Sequence, residues 1–278
     1  MKLYNTEDGI VLVHRGRQTL CAGEDWDALL NHTSLPAYLH QLHESGRSWT
    51  GVDVATAPNL LPPMQRQELW ASGVTYLRSK IERQEEAKEA GGADFYQRVY
   101  DAERPELFFK ANRHRVVGHG DAVRIRADSS WNVPEPELTL VLNRRGNIVG
   151  YTIGNDMSSR SIEGENPLYL PQAKTYDGCA SLGPCVLVAE APFPEDAAIA
   201  LTIVRARRTV FTGIVAVSMI RRHFEDLAAW LFRECSFPHG ALLMTGTGIV
   251  PPAPFTLQSG DMISITIEHI GQLTNTVA

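Results

Sequence analysis

From Pro105 onward this 278-residue chain is written in short β-type runs separated by Gly, Pro and Asn, and that texture constrains the fold more than any other feature. The runs are Leu138 to Leu142, Ile148 to Ile153, Val186 to Ala189, Ile199 to Val204, Val210 to Ile214 and Met262 to Ile267. Each is short and rich in branched residues, which suit a pleated, half-buried surface. Phe224, Leu227, Ala228 and Leu231 recur at helical spacing, so one amphipathic helix over Arg222 to Glu234 interrupts the strands. The expectation is an α+β, β-rich chain.

The N-terminal part reads differently. A short apolar run, Ile10 to Val13, is followed by a helix-like stretch, Asp25 to Leu42, and by a proline-marked crossing at Asn59-Leu-Leu-Pro-Pro-Met64. This predicts a small N-terminal domain over residues 1–66 and a larger one over residues 67–278. From Tyr76 to Ala90 the sequence is charged almost all round and ends at Gly91-Gly92, the pattern of a solvated helix or a mobile lid. Internal repeats and low-complexity tracts are lacking in the sequence.

Composition removes several classes of function. The net charge of -6 provides no basic footprint for nucleic acid, and a small anionic substrate would then need local positive charge such as a metal ion. No apolar run approaches the roughly 20 residues of a membrane span, and Met1 to Arg17 lacks the apolar core of a signal peptide. A cytoplasmic protein is expected. Cys21, Cys179, Cys185 and Cys235 show no CxxC spacing and are too sparse for a disulfide framework, so reduced and mostly buried thiols are expected.

The strongest chemical signal is Trp131-Asn-Val-Pro-Glu135-Pro-Glu137-Leu-Thr-Leu-Val-Leu142, followed by Asn143 to Asn147 and then Ile148 to Asp156. In an extended chain residues two apart share a face, so Glu135 and Glu137 point the same way. Asn143-Arg-Arg-Gly-Asn147 has turn chemistry, and folding the flanking runs into a hairpin sets Asp156 roughly opposite Glu135. Three carboxylates that close repel one another unless a cation lies between them. All-oxygen ligation suits Mg²⁺, Mn²⁺ or Ca²⁺ rather than zinc or copper. A solvent-facing hairpin edge that happens to be acidic remains the competing reading at this point.

Further segments carry a resemblance. Pro105-Glu-Leu-Phe-Phe-Lys110, Gly118-His-Gly-Asp121, Pro134-Glu-Pro-Glu-Leu138, Gly154-Asn-Asp-Met-Ser158, Asn166 to Lys174, Thr245-Gly-Thr247 and Ser259-Gly-Asp261 stand in the order seen in the fumarylacetoacetate hydrolase family. The similarity runs from about Glu68 to the C-terminus, and it is greatest to members that dehydrate 2-keto-3-deoxy sugar acids. The resemblance implies a mixed β-roll in the large C-terminal domain, a small N-terminal domain and a homodimer or dimer-based oligomer. It also implies that Glu135, Glu137 and Asp156 ligate the metal, usually Mg²⁺.

Members that hydrolyse C–C bonds share an Asn-Tyr-x-x-His segment whose histidine activates water, whereas this chain has Thr75-Tyr76-Leu-Arg-Ser79. A hydroxyl cannot replace that imidazole as a base near neutral pH, but an elimination has no need of a water nucleophile. The expected activity is therefore removal of water from a 2-keto-3-deoxy sugar acid of the 2-dehydro-3-deoxy-D-arabinonate type, through a metal-stabilised enolate, to a dioxo acid such as 2,5-dioxopentanoate. The alternatives are a C–C hydrolase or decarboxylase acting on an acylpyruvate or oxaloacetate-like 2-keto acid, and a catalytically silent metal-stabilised binding protein.

Lys174 is the expected proton-transfer group, because a lysine beside a metal cation has its pKa lowered. Asp121 is the expected partner for the second proton, with a turn-forming aspartate as its alternative. Thr245, Gly246 and Thr247 offer donors to a carboxylate or ketone oxygen, and Ser72 and Gly73 would line the opposite wall. His119 is expected to be structural, Phe109 to lie in the core and Lys110 to form a buried ion pair. Arg113, Arg115, Arg124 and Arg126 read as a solvated strand face, with substrate-carboxylate binding as the lesser possibility.

Overall fold

A computed structural model of the chain describes residues 1–77 and 93–278, so Ser79 and most of the charged stretch from Tyr76 to Ala90 lie outside the described residues. The strands before residue 130 are β1 (Lys2–Thr6), β2 (Gly9–His14), β3 (Arg17–Leu20), β4 (Arg47–Ser48), β5 (Glu68–Gly73), β6 (Glu106–Ala111), β7 (Val116–Val117) and β8 (Ala122–Val123). After it come β9 (Asn132–Val133), β10 (Pro136–Leu142), β11 (Ile148–Asp156), β12 (Ser158–Ser159), β13 (Ala180–Val188), β14 (Ala198–Arg205), β15 (Arg208–Ala216), β16 (Ala241–Met244), β17 (Met262–Ile267) and β18 (Gly271–Val277). The helices are α1 (Trp26–Leu30), α2 (Leu35–Ser45), α3 (Ala93–Asp101), α4 (Arg160–Glu165), α5 (Leu170–Lys174) and α6 (Phe224–Leu231).

Among the described residues, eleven strands form one mixed sheet in the order β4-β3-β2-β1-β13-β11-β10-β16-β5-β6, with β7 added parallel to β13. The pairing of β16 with β5 is parallel too. A second sheet of five strands runs β15-β14-β17-β18-β8. The expected boundary near residue 66 falls between β4 and β5, and the segment before it hydrogen-bonds to the segment after it where β1 pairs with β13.

The stretch expected as one helix from Asp25 to Leu42 is two. Asp25 caps the first by accepting the Ala28 N–H at 3.0 Å. Pro36 explains the break, since a proline lacks the N–H and clashes with the carbonyl four residues back unless it lies in the first turn, where α2 places it. The helix expected from Arg222 to Glu234 is shorter, Phe224–Leu231.

All seven residues of β10 are buried, so both of its faces are covered. Leu138, Leu140 and Leu142 pack with Ile199, Leu201 and Ile203 of β14 and Ile263, Ile265 and Ile267 of β17, which fills the space between the sheets. Val141 belongs instead to the cluster under α1 and α2, with Leu29, Leu30, Leu35 and Leu39. Glu135, Glu137, Thr139 and Val141 alternate with the first set and share the second face. That face therefore passes from charged to polar to apolar along one strand. Cys21, Cys179 and Cys185 are buried, Cys235 is exposed and all four are free. No described helix is long and apolar enough to cross a membrane.

Candidate active site

The β10–β11 hairpin builds the acidic cluster. The Asn143 N–H donates to Asn147 O at 3.0 Å, while Asn143 Oδ1 accepts the N–H of Arg145 and of Asn147 at 2.9 and 3.1 Å. This turn sets the register in which Pro136 lies opposite Asn155 and Glu137 opposite Gly154. One step further the Asp156 N–H donates to Glu135 O at 2.9 Å. The carboxylates of Glu135, Glu137 and Asp156 are buried, and one oxygen from each lies within 4.8 Å of the others. The open acidic edge considered for this hairpin is thereby excluded.

Cations surround the cluster on one side. Lys174 Nζ donates to Glu135 Oε2 at 2.7 Å, to Asp156 Oδ2 at 3.0 Å and to Ser158 Oγ at 2.5 Å. Lys110 Nζ contacts Asp156 Oδ1 at 2.6 Å and donates to Met157 O at 3.0 Å and to Lys174 O. Arg160 Nη2 donates to Glu135 Oε1 at 2.8 Å, and its Nε lies 3.6 Å from Glu163 Oε2. Glu137 stands apart, accepting the Gly246 N–H at 2.6 Å. Burial pushes the Glu137 carboxyl well above the usual carboxylate range, the Asp156 and Glu135 charges add to the rise, and Lys174 and the Gly246 N–H oppose it.

These residues fit a divalent cation. The donors are carboxylates without His or Cys, which suits a hard ion such as Mg²⁺. Burial first, and then the Asp156 and Glu135 charges, raise the Glu137 pKa, and a cation among the three carboxylates would offset both.

Ser72, Gly73, Gly246 and Thr247 line the same cavity as the triad and Lys174, together with Val74, Phe108 and Arg160. Thr245 lies directly behind it, with its N–H and Oγ1 both donating to Leu138 O at 3.0 and 2.8 Å. The donors expected of this loop are largely used internally, because Gly246 N–H serves Glu137 and Thr247 Oγ1 donates to Ile249 O at 3.1 Å. Gly246 has φ +92, and a Cβ there would lie 2.0 Å from Thr75 Oγ1, so the glycine is required for the loop to reach Glu137.

Asp121 lies elsewhere. It is exposed, its Oδ2 accepts the Gly118 N–H at 2.9 Å, and it lines a different cavity of about 350 Å³ with Glu7 and Asp8. The geometry is that of the turn-forming aspartate. His119 is structural as expected, its Nδ1 accepting the Thr274 N–H at 3.2 Å. Phe109 is half-buried against Trp70 rather than in the core, with ring centroids 5.9 Å apart. Arg113, Arg115, Arg124 and Arg126 do not line the carboxylate cavity; Arg113 donates to Val116 O, and Arg126 pairs with Asp128.

Sequence reasoning passed over Glu106 and Arg160. Residues 106, 108 and 110 of β6 share one face. Lys110 reaches Asp156 and Phe108 lines the cavity. A Cβ on Gly73 would meet Glu106 Oε2 at 1.9 Å, so that carboxylate lies against the wall Gly73 forms. Two ionisable residues four apart, and so on one strand face, at the ends of the run Glu106-Leu-Phe-Phe-Lys110 were the available signal. Glu106 and Glu163 also line an adjoining cavity of about 370 Å³ with Arg104, Leu107 and Leu170.

This fold and buried triad define a class. Residues 69–278 match the family described as fumarylacetoacetate (FAA) hydrolase C-terminal, and the chain belongs to that family. Among its relatives, a protein of Haloferax volcanii named "Probable 2-keto-3-deoxyxylonate dehydratase" is 50% identical over 216 residues, covering 77% of this chain and 73% of that one. The 2-dehydro-3-deoxy-D-arabinonate dehydratase of Saccharolobus solfataricus is 45% identical over 217 residues, with the same coverage of 77% and 73%. A solved structure of 2-keto-3-deoxy-D-arabinonate dehydratase complexed with magnesium and 2,5-dioxopentanoate superposes with a TM-score of 0.84 at 36% identity, covering 100% of this chain and 98% of that one.

Proposed function

We propose that this chain is a Mg²⁺-dependent dehydratase that converts a 2-keto-3-deoxypentonate to 2,5-dioxopentanoate. The observation that carries the reading is Lys174, an amine wholly buried among Glu135, Asp156 and Ser158 at the wall of the carboxylate cavity. A binding protein would have no use for a proton acceptor in that position. The likeness to two dehydratases at 50% and 45% identity supports the same conclusion.

Glu135, Glu137 and Asp156 are the proposed ligands of the cation. When bound, that cation supplies Lewis-acid polarisation of the substrate's 2-keto oxygen and a positive charge that favours the neutral form of Lys174. Lys174 takes a proton from C3, giving an enolate. The C4 hydroxyl then leaves as water with a proton from an acid, and the C3=C4 product passes through its C4=C5 enol to the C5 aldehyde. One water is lost and no carbon–carbon bond breaks.

Glu106, whose carboxylate lies against Gly73, is the proposed acid for the leaving hydroxyl, in the place first given to Asp121. Arg160 holds Glu135 in position through its 2.8 Å hydrogen bond. Ser72, whose Oγ donates to Glu106 O at 3.0 Å, and Thr247 flank the substrate. The cavity beside Glu106 and Glu163 receives its hydroxylated end. The active species is further proposed to be a homodimer or a dimer-based oligomer.

The test is incubation of the purified protein with each C4 epimer of a 2-keto-3-deoxypentonate and Mg²⁺, with and without chelator. A chelator-sensitive loss of one water, with an aldehyde in the product, is the expected result. Pyruvate or a free acid as the product, or turnover of acylpyruvates alone, would overturn the reading in favour of C–C cleavage.

A further inference from the structure

The five-stranded sheet packs one face on the core and leaves the other open. Along β14, β17 and β18 the burial alternates strictly: Ile199, Leu201, Ile203, Ile263, Ile265, Ile267, Leu273 and Val277 are buried, and the residues between them look outward except Asn275, which is also buried. On β15 the outward positions include Thr212 and Ile214, the latter 73% exposed, and Met262 at the start of β17 is 41% exposed. From Thr209 to Ala216 of β15, and at every outward position of β14, β17 and β18, the residues are Thr, Ser, Ala, Val, Ile, Met, Phe, Gly or Gln. None is charged, in a chain that is 21% charged. A solvated sheet face ordinarily carries Lys, Glu or Arg, which keep it from pairing. An open face without them marks an interaction site.

Charge is found at the two ends of this face, with opposite sign. Arg207, in the β14–β15 turn, and Arg208, the first residue of β15, lie at one end. At the other, Glu195 and Asp196 precede β14, and Glu268 follows β17 with its Oε2 accepting the Ala198 N–H at 2.9 Å. Four strands about 4.8 Å apart and seven residues long give a flat footprint of roughly 500 Å². With the ends added, that is of the order of the 800 Å² each partner contributes to a standard interface.

We infer that this face is where a second copy of the chain docks, sheet on sheet, about a twofold axis that runs the two sets of strands antiparallel. That axis lays Arg207 and Arg208 of each copy against the acidic end of the other, whereas an axis along the strands would set like charges together. The uncharged middle gives two chains of net charge -6 a surface on which they meet without repulsion. This deepens the oligomer reading above by naming its surface.

Sedimentation velocity of the full chain at micromolar concentration tests it. The wild type is expected at twice the 30.8 kDa chain mass or a multiple of that. Ile214→Glu, at an exposed position, is expected to raise the dimer Kd about a hundredfold or more with unchanged circular dichroism. Arg207→Glu with Arg208→Glu should weaken the dimer, and adding Glu195→Lys with Glu268→Lys in the same chain should restore it. A monomeric wild type sinks the oligomer reading along with this one. A dimer that survives both Ile214→Glu and Thr266→Glu sinks the surface alone, and a charge swap that restores nothing sinks the antiparallel arrangement.

Discussion

Asp261 and the Glu135–Glu137–Asp156 triad are both buried carboxylate sites, but their charges are handled in opposite ways. Asp261 sits at the end of the five-stranded sheet, where Arg205 grips both oxygens through Nε and Nη2 at 2.7 and 2.6 Å and the Gln258 N–H adds a third bond at 2.9 Å. One anion meets one forked cation, and the account closes. At the triad three carboxylates crowd together. Their cations gather on Glu135 and Asp156, and among the described residues Glu137 is held by the backbone N–H of Gly246 and has a strongly raised pKa. A closed pair holds strands together, whereas an excess of buried charge is held in place for a ligand.

The largest expected effect follows from that contrast. Glu137→Gln removes a buried carboxyl's desolvation cost and its repulsion from Asp156 and Glu135 while keeping the shape, so the metal-free protein should melt no lower than wild type. Dehydration should fall about a thousandfold in kcat/KM, as it should in Lys174→Met. Thermal melts in chelator and steady-state rates in Mg²⁺ check the two halves. Loss of stability together with activity would make the triad a structural element like Asp261.

Next comes the choice between two acids. Glu106→Gln is expected to lower kcat about a hundredfold, the usual size of a lost proton donor. Asp121→Asn should change kcat less than about threefold and cost about 1 kcal/mol of stability or less, because it keeps an oxygen facing the Gly118 N–H. The reverse ranking would return the second proton to Asp121.

That pair shows where the sequence could be read and where it could not. The hairpin was legible because its determinants are local: a period of two, a turn with Asn at both ends, and a register counted outward from it. The split of Asp25 to Leu42 was available from Pro36 on the same local grounds. Lys174 is different, lying 39 residues from Glu135 and 18 from Asp156 and delivered by the five-residue helix α5, so only the family resemblance pointed to it. Glu106 depends on the antiparallel pairing of β5 with β6, which no local pattern encodes. Asp121 misled because a Gly-His-Gly-Asp turn has the same composition whether its carboxylate caps a backbone or handles a proton.

The third effect falls on the closed pair. Arg205→Ala leaves Asp261, which is fully buried, without its cation; Arg205 itself is 30% exposed, so part of the loss is screened and about 2 kcal/mol is expected rather than the larger cost of a fully buried pair. Melting temperature should fall with kcat unchanged. A change in kcat without a change in stability would show the two sites to be coupled.

The smallest effect sharpens the comparison with a third solution to burial, which is to stay neutral. Burial holds the His119 imidazole below its ordinary pKa, against the weaker upward pull of a backbone hydrogen bond at Gln272 and of the Asp121 charge. The folded state therefore binds the proton less readily than the unfolded chain does. His119 contributes stability that is fully present above its unfolded pKa of about 6.5 and is lost as pH falls through the lower folded value. Melts from pH 7.5 down to pH 5 should show a loss of stability in wild type that is smaller in His119→Gln, which cannot titrate. Carboxylates elsewhere contribute equally to both proteins, so the difference between the two curves isolates the one imidazole. A wild-type curve that instead gains on His119→Gln as pH falls would mean that His119 is charged in the fold and paired with Asp121, making it a closed pair like Arg205 and Asp261.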